Sequence, residues 1–234
     1  MTTAPPDAAA LPASADDALE DARARTINAS VALSTGFYAA NAWFAWGWTG
    51  ATGLSVVLLA LFGVHVLRTG DAFVRKLLVA GVFYGLFVLL SDAVCVAWGG
   101  LVYTPAGPFA YKSPLYMPLS AISAVVQMGN MAYVLDRSRG LVASALITGL
   151  VGAIYMPFYE YVAKAGELWI YQDVPMILDT VPYYIILCEF LICLAMPAAI
   201  RQIARRETVW AVPFGTLLGG VVLGSTALSC WLLA

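Results

Sequence analysis

The chain has little charge, one histidine and no cluster of basic residues. Asp, Glu, Lys and Arg make up 11% of it against 62% hydrophobic residues. A soluble domain carries roughly a quarter charged residues, so a water-soluble globular fold is excluded. A net charge of −2 and the lack of a basic stripe exclude a nucleic-acid partner. His65 cannot hold a metal alone, which disfavours histidine-rich oxygenase or desaturase chemistry and haem held between two histidines. The cysteines, Cys95, Cys188, Cys193 and Cys230, all lie in apolar runs and fit neither a metal nor a disulfide spacing. No metal and no cofactor is expected. The first 27 residues have no positive start leading into an apolar core. They read as a disordered Ala-, Pro- and Asp-rich tail with a short helix at Asp16–Arg25, not as a signal peptide.

What the chain does have is apolar runs of membrane-spanning length. They fall near 28–48, 52–68, 76–99, 114–135, 140–163, 180–200 and 208–233. About 20 residues suffice to cross a bilayer as a helix. The fold class is therefore all-α: a polytopic membrane bundle of seven transmembrane helices over 28–233. The first run carries Asn28, Ser30, Ser34, Thr35 and Asn41, so six spans is the alternative count. Arg68, Arg75, Lys76, Arg137, Arg139, Arg201, Arg205 and Arg206 lie in alternate connections. Cytoplasmic loops collect such residues. This assigns those connections to the cytoplasm, and the seven-span reading places both chain ends outside the cytoplasmic (inner) membrane. Gly149, Gly152, Gly215, Gly219 and Gly220 offer surfaces for close helix approach. Pro118, Pro157, Pro182, Pro197 and Pro213 suggest kinks. No internal repeat is apparent, so an inverted-repeat transporter lacks its usual pointer.

Three acids stand inside these runs: Asp92, Glu160 and Glu189. Intramembrane acids are expensive and mark functional sites. From the span starts, Asp92 lies roughly 24 Å and Glu160 roughly 30 Å above the cytoplasmic face, with Glu189 roughly 13 Å below the outer one. All three then fall in the outer half of the bilayer, under the connections 100–113 and 164–179. Glu160 has an ordinary alternative, an ion pair with Lys164 one turn on. Around the acids lie Trp98, Tyr103, Tyr155, Tyr159, Trp169, Tyr171, Tyr183 and Tyr184, candidates for the wall of a substrate cavity. Aromatic belts at the interface are the competing explanation for them. Gln127, Asn130, Asn41 and His65 read as interhelical hydrogen-bonders, with His65 remote from the acids.

Carboxyl groups that share a dry pocket cannot all ionise cheaply, so they supply an acid and a base from the same chemistry. Aromatic faces stabilise cations without attacking them. This combination suits proton-initiated cyclisation of a lipid-soluble isoprenoid, with Glu189 as proton donor and Asp92 as base or orienting group. The length, the seven short-looped spans, the lack of metal motifs and the intramembrane acids resemble the small integral-membrane terpene cyclases of meroterpenoid and indole-terpenoid pathways. The resemblance implies catalysis by paired acids on different helices. It is one of architecture over 28–233. Its acids lie in an early and the last span, whereas here spans one, two and seven hold none. Other readings stay open: a proton-coupled transporter or lipid-binding module, or an isoprenoid or sterol isomerase or hydratase. A retinal photoreceptor needs a lysine in a late span, and 208–233 has none.

Overall fold

A computed structural model describes residues 15–104 and 107–234. Its seven helices are α1 (Ala15–Phe44), α2 (Gly47–Thr69), α3 (Ala72–Trp98), α4 (Tyr116–Arg139), α5 (Leu141–Ala165), α6 (Tyr183–Arg205) and α7 (Ala211–Leu233). The all-α bundle follows from the apolar runs, and its boundaries follow from local chemistry. Gly70 ends α2 in the left-handed conformation at φ 69°, donating its N–H to Val66. Asp71 then caps α3 by accepting from the N–H groups of Phe73 and Val74. Of the five prolines, Pro157 and Pro197 lie inside helices. Pro118 and Pro213 sit within the first turn of α4 and α7, where no helical hydrogen bond is lost, and Pro182 precedes α6. Those three are helix starts and not kinks.

Six helices, α2 to α7, are long and apolar enough to cross a membrane. The seventh, α1, is not, yet it lies along the bundle from end to end. Arg23 meets Asp71 in the α2–α3 connection. Gln127 of α4 donates to Ser30 and Ser34. Tyr38 meets Tyr159 of α5, and Asn41 lies against Gly50 and Gly166. Polar residues that weaken α1 as a lipid-facing span are the ones that seat it on its neighbours. Two sequence expectations change here. The short helix expected at Asp16–Arg25 is present, but it runs unbroken into the first apolar run as α1, so residues 15–27 are helix and not disordered tail; residues 1–14 lie outside the described residues. The chain start was expected on the face opposite the cationic connections. Arg23–Asp71 and an ion pair between Glu20 and Arg137 put the start of α1 on that same face. Seven helices run along the bundle, an odd number, so the start of α1 and the end of α7 lie at opposite ends of it.

Close helix contact depends on small residues. A Cβ on Gly215 would lie 2.5 Å from the carbonyl oxygen of Ala80, and one on Gly152 would lie 2.7 Å from the sulfur of Cys193. Gly149 and Gly219 are similarly crowded by Phe190 and Phe87, whereas Gly220 faces open space. Of the predicted small-residue surfaces, Gly220 is the one that contributes no contact.

The far end is covered by short strands. β1 (Leu101–Tyr103) pairs antiparallel with β4 (Trp169–Tyr171), with Tyr103 opposite Trp169. β2 (Phe109–Ala110) pairs with β3 (Ser113–Pro114), and β5 (Met176–Ile177) with β6 (Val181–Pro182). The β1–β4 strap joins the α3–α4 connection to the α5–α6 connection. Its entry is Gly100, at φ +64°, where a Cβ would fall 1.8 Å from the carbonyl oxygen of Gln172. No side chain fits there.

Candidate functional site

Beneath the strap lies a cavity of about 110 Å³ whose wall includes Asp92, Glu160 and Glu189. Three helices deliver them: α3, α5 and α6. Helical periodicity sets what accompanies each acid. On α3 the wall residues are Tyr84, Val88, Ser91, Asp92 and Cys95; on α6 they are Ile185, Cys188, Glu189 and Ile192. These spacings trace one face of each helix.

Asp92 is buried and its Oδ2 accepts from the hydroxyl of Tyr103 at 2.6 Å and from that of Ser113. Glu160 is buried and accepts from the indole N–H of Trp169 at 2.6 Å and from the hydroxyl of Tyr171 at 3.2 Å. Both pairs of donors lie on the α3–α4 and α5–α6 connections, so the strap is tied to the floor beneath it through the acids. Burial first, and then the neighbouring Asp92 carboxyl, push the phenol of Tyr103 well above its ordinary range. Burial and Glu160 do the same to Tyr171. Both phenols therefore serve as O–H donors throughout the neutral range. Glu189 makes no hydrogen bond or ion pair among the described residues, and it lies within electrostatic reach of Glu160 and Tyr84. Among the described residues no group of three or more His, Cys, Asp or Glu is arranged to hold one ion. The carboxyl groups share a cavity without sharing a point.

The alternative role for Glu160, an ion pair with Lys164, is not formed among the described residues. The Lys164 ammonium instead donates to the carbonyl of Asp179 at 2.6 Å, at the surface. Among the aromatic candidates, Tyr103, Tyr159, Trp169 and Tyr171 line the cavity. Trp169 is 3% exposed, so it is no belt residue. Trp98, Tyr155 and Tyr183 are exposed on the outside of the bundle and lie apart from the cavity. Tyr184 is buried but structural: its hydroxyl donates to the carbonyl of Gly99 at 2.8 Å and pins the start of α6 to the end of α3. The four excluded residues share proximity in sequence with the acids but have no place in the cavity wall.

Several residues in or against the wall have no mark in the sequence. Ser113 reaches Asp92 from a hairpin. Thr226 of α7 bonds Ser91 at 2.6 Å and Cys188 at 3.2 Å at the cavity floor. The four-residue steps Tyr84, Val88, Asp92 and Val222, Thr226 are a signal that could have identified Tyr84, and less directly Thr226.

At the opposite end is a second polar cluster. Asp71 accepts from Arg23 Nε at 2.7 Å and lies 3.1 Å from His65 Nε2, while His65 Nδ1 lies 3.1 Å from the hydroxyl of Thr26. His65 is thus an interhelical hydrogen-bonder remote from the acids, and Gln127 is one too. Asn41 is different: both polar atoms of its buried amide lack a partner among the described residues.

No curated protein and no solved structure matches the chain. Residues 89–233, more than half of the chain and the part that carries all three acids, match the family described as Domain of unknown function (DUF6989), and the protein belongs to that family.

Proposed function

We propose that the protein is an integral-membrane isoprenoid cyclase that closes rings on a polyprenyl chain, epoxidised or not, by acid–base chemistry. One observation carries the reading: three carboxyl groups from three helices converge on a single aromatic-walled cavity. Glu189, partly buried in the cavity wall, has no hydrogen-bond donor among the described residues to compensate a negative charge, and a carboxylate left uncompensated in apolar surroundings takes up a proton. It is the proton donor. Asp92, held by Tyr103 and Ser113, is organised as the base. Glu160, held by Trp169 and Tyr171, positions the strap over the reacting chain. Protonation of a terminal alkene or epoxide by Glu189 leaves a carbocation. The faces of Tyr103, Tyr159, Trp169 and Tyr171 stabilise it, and the strap keeps water away. Ring closure ends with a proton passing to Asp92, whose return to Glu189 resets the site. Substrate and product are isomers, so no co-reactant is consumed.

The cavity of about 110 Å³ is smaller than the roughly 300–1,000 Å³ of pockets that enclose small-molecule ligands. Substrate entry must widen it. Met117 and Met156 stand in its wall, and methionine side chains repack readily. A proton-coupled transporter would need a path to the other face. Among the described residues no Asp, Glu, Lys, Arg or His lies between the acid cavity and the Arg23–His65–Asp71 cluster, and Phe62, Leu77, Val125 and Ile200 fill that layer fully buried. This favours an enclosed reaction site. By the positive-inside rule the cationic face is cytoplasmic, which puts the start of α1 in the cytoplasm and the cavity in the outer half of the cytoplasmic membrane.

The test is turnover. Membranes containing the protein are incubated with an acyclic sesquiterpenoid alkene and with its terminal epoxide, and isomeric products are sought by mass spectrometry. Asp92→Asn and Glu189→Gln are near-isosteric but cannot relay the proton. Each should elute as the wild type does in detergent and lose about 100-fold or more in turnover. Near wild-type product from both variants refutes the site.

A further inference from the structure

Tyr159 of α5 stands in the cavity wall and meets Tyr38 of α1 behind it, while Tyr116, at the start of α4, immediately precedes the wall residue Met117. Tyr38 and Tyr116 are 8% and 3% exposed. The hydroxyls of Tyr38 and Tyr159 lie 3.1 Å apart, with their rings edge-to-face at 4.9 Å. The Tyr116 hydroxyl is buried with no partner among the described residues. It lies within electrostatic reach of Asp92 and Tyr38, and Tyr159 feels it in turn. Tyr159 itself faces the cavity.

Counting donors turns this into a binding argument. Each phenol offers one O–H. The Tyr38–Tyr159 contact uses one of that pair's two protons, and either hydroxyl can be the donor. The other proton, and that of Tyr116, have no acceptor among the described residues. Buried hydroxyls without partners are costly and rare. The acids nearby do not satisfy them: the recorded donors to Asp92 are Tyr103 and Ser113, and those to Glu160 are Trp169 and Tyr171. Two spare O–H donors beside one cavity match a single oxygen atom with two lone pairs.

We infer that Tyr116, with the Tyr38–Tyr159 pair, forms a subsite for an oxygen atom of the substrate, so that the ligand is an oxygenated isoprenoid (an epoxide, ether, carbonyl or alcohol) and not a plain hydrocarbon. This rests on the isoprenoid reading of the cavity and narrows its substrate class. The competing occupant is a buried water that bridges the hydroxyls as part of the fold.

The test uses the full chain in detergent. An acyclic sesquiterpenoid epoxide and the matching alkene are titrated separately, and apparent affinities are read from ligand-dependent thermal shifts. The wild type should bind the epoxide about 10-fold more tightly than the alkene, the discrimination expected of one well-made hydrogen bond. Tyr116→Phe should bring that ratio close to one, leave alkene binding unchanged and leave the melting temperature of the empty protein unchanged, since no partner is lost. Tyr38→Phe, which removes a hydroxyl that has a partner, should lower the melting temperature and provides the contrast. If Tyr116→Phe melts lower while discrimination persists, the hydroxyl holds a structural water and the subsite is refuted. If the wild type binds both compounds equally, the subsite falls and the isoprenoid reading stands. If neither compound binds the wild type, the isoprenoid reading falls and takes the subsite with it.

Discussion

Replacing Arg23 with Met tests how α1 is held. Arg23 reaches Asp71 through two bonds, Nε to Oδ2 at 2.7 Å and a terminal nitrogen to Oδ1 at 3.2 Å, and its guanidinium lies 5.1 Å from the centre of the Phe73 ring. Both side chains are buried, Asp71 completely. Methionine keeps the apolar stem and removes the charge. Breaking a buried pair from one side costs about 3–5 kcal/mol because the other charge is stranded. Asp71 keeps His65 and the N–H groups of Phe73 and Val74, so the low end, about 3 kcal/mol, applies. For a chain of this size that lowers Tm by about 6–12 °C, read by fluorescence melting in detergent. The pH dependence has a definite sign. Burial pushes the Asp71 carboxyl up, but Arg23, His65 and the Val74 N–H together outweigh it and hold the group below the usual carboxylate range. A lowered folded-state value contributes stability that is complete above about pH 4 and is lost as pH falls through that lowered value. The gap between wild type and Arg23→Met should therefore be constant near neutrality and close on the acid side. A Tm change under about 2 °C, flat with pH, would refute both the docking of α1 and its placement on the cationic face.

Three further outcomes follow from the same geometry. Trp169→Phe keeps the ring but deletes the N–H donor to Glu160, and should reduce turnover about 10-fold or more with a stability cost of about 1–2 kcal/mol; a variant that loses stability alone would make Trp169 a packing residue. Gly215→Val drives a side chain into the Ala80 backbone and should cost about 1–3 kcal/mol or more, whereas Gly220→Ala, facing open space, should melt as the wild type does; equal effects would overturn the α3–α7 contact. Cysteine labels at Ser138 and at the start of α1 should react from the cytoplasmic side and one at Gly107 from the outside, and a label at the start of α1 that reacts with Gly107 would reverse the corrected topology.

Much of the fold was legible because its determinants are local. Apolar run length marks the helices. The alternation of cationic connections sorts the two faces. The agreement in depth of Asp92, Glu160 and Glu189 needed only rise per residue and span direction, and the three do line one cavity. Depth along a helix does not give direction around it. Tyr155 and Tyr183 stand near the acids in sequence, yet they are exposed, while Tyr84, two turns before Asp92, lines the cavity.

By itself, the sequence determined an all-α membrane bundle with acids at one level, since hydropathy, helical rise and charge bias act over a turn or a span. The tertiary structure alone decided three things. It set α1 along the bundle through Arg23–Asp71, Gln127 to Ser30 and Ser34, and Tyr38–Tyr159, contacts between residues 48 to 121 positions apart. It brought Leu101–Tyr103 against Trp169–Tyr171 as a strap whose short strands carry no distinguishing pattern. And it turned Trp169 and Tyr171 from plausible belt residues into donors to Glu160. A buried carboxyl needs donors, but nothing in the order of residues says which distant loop supplies them; that depends on where the chain brings its ends together.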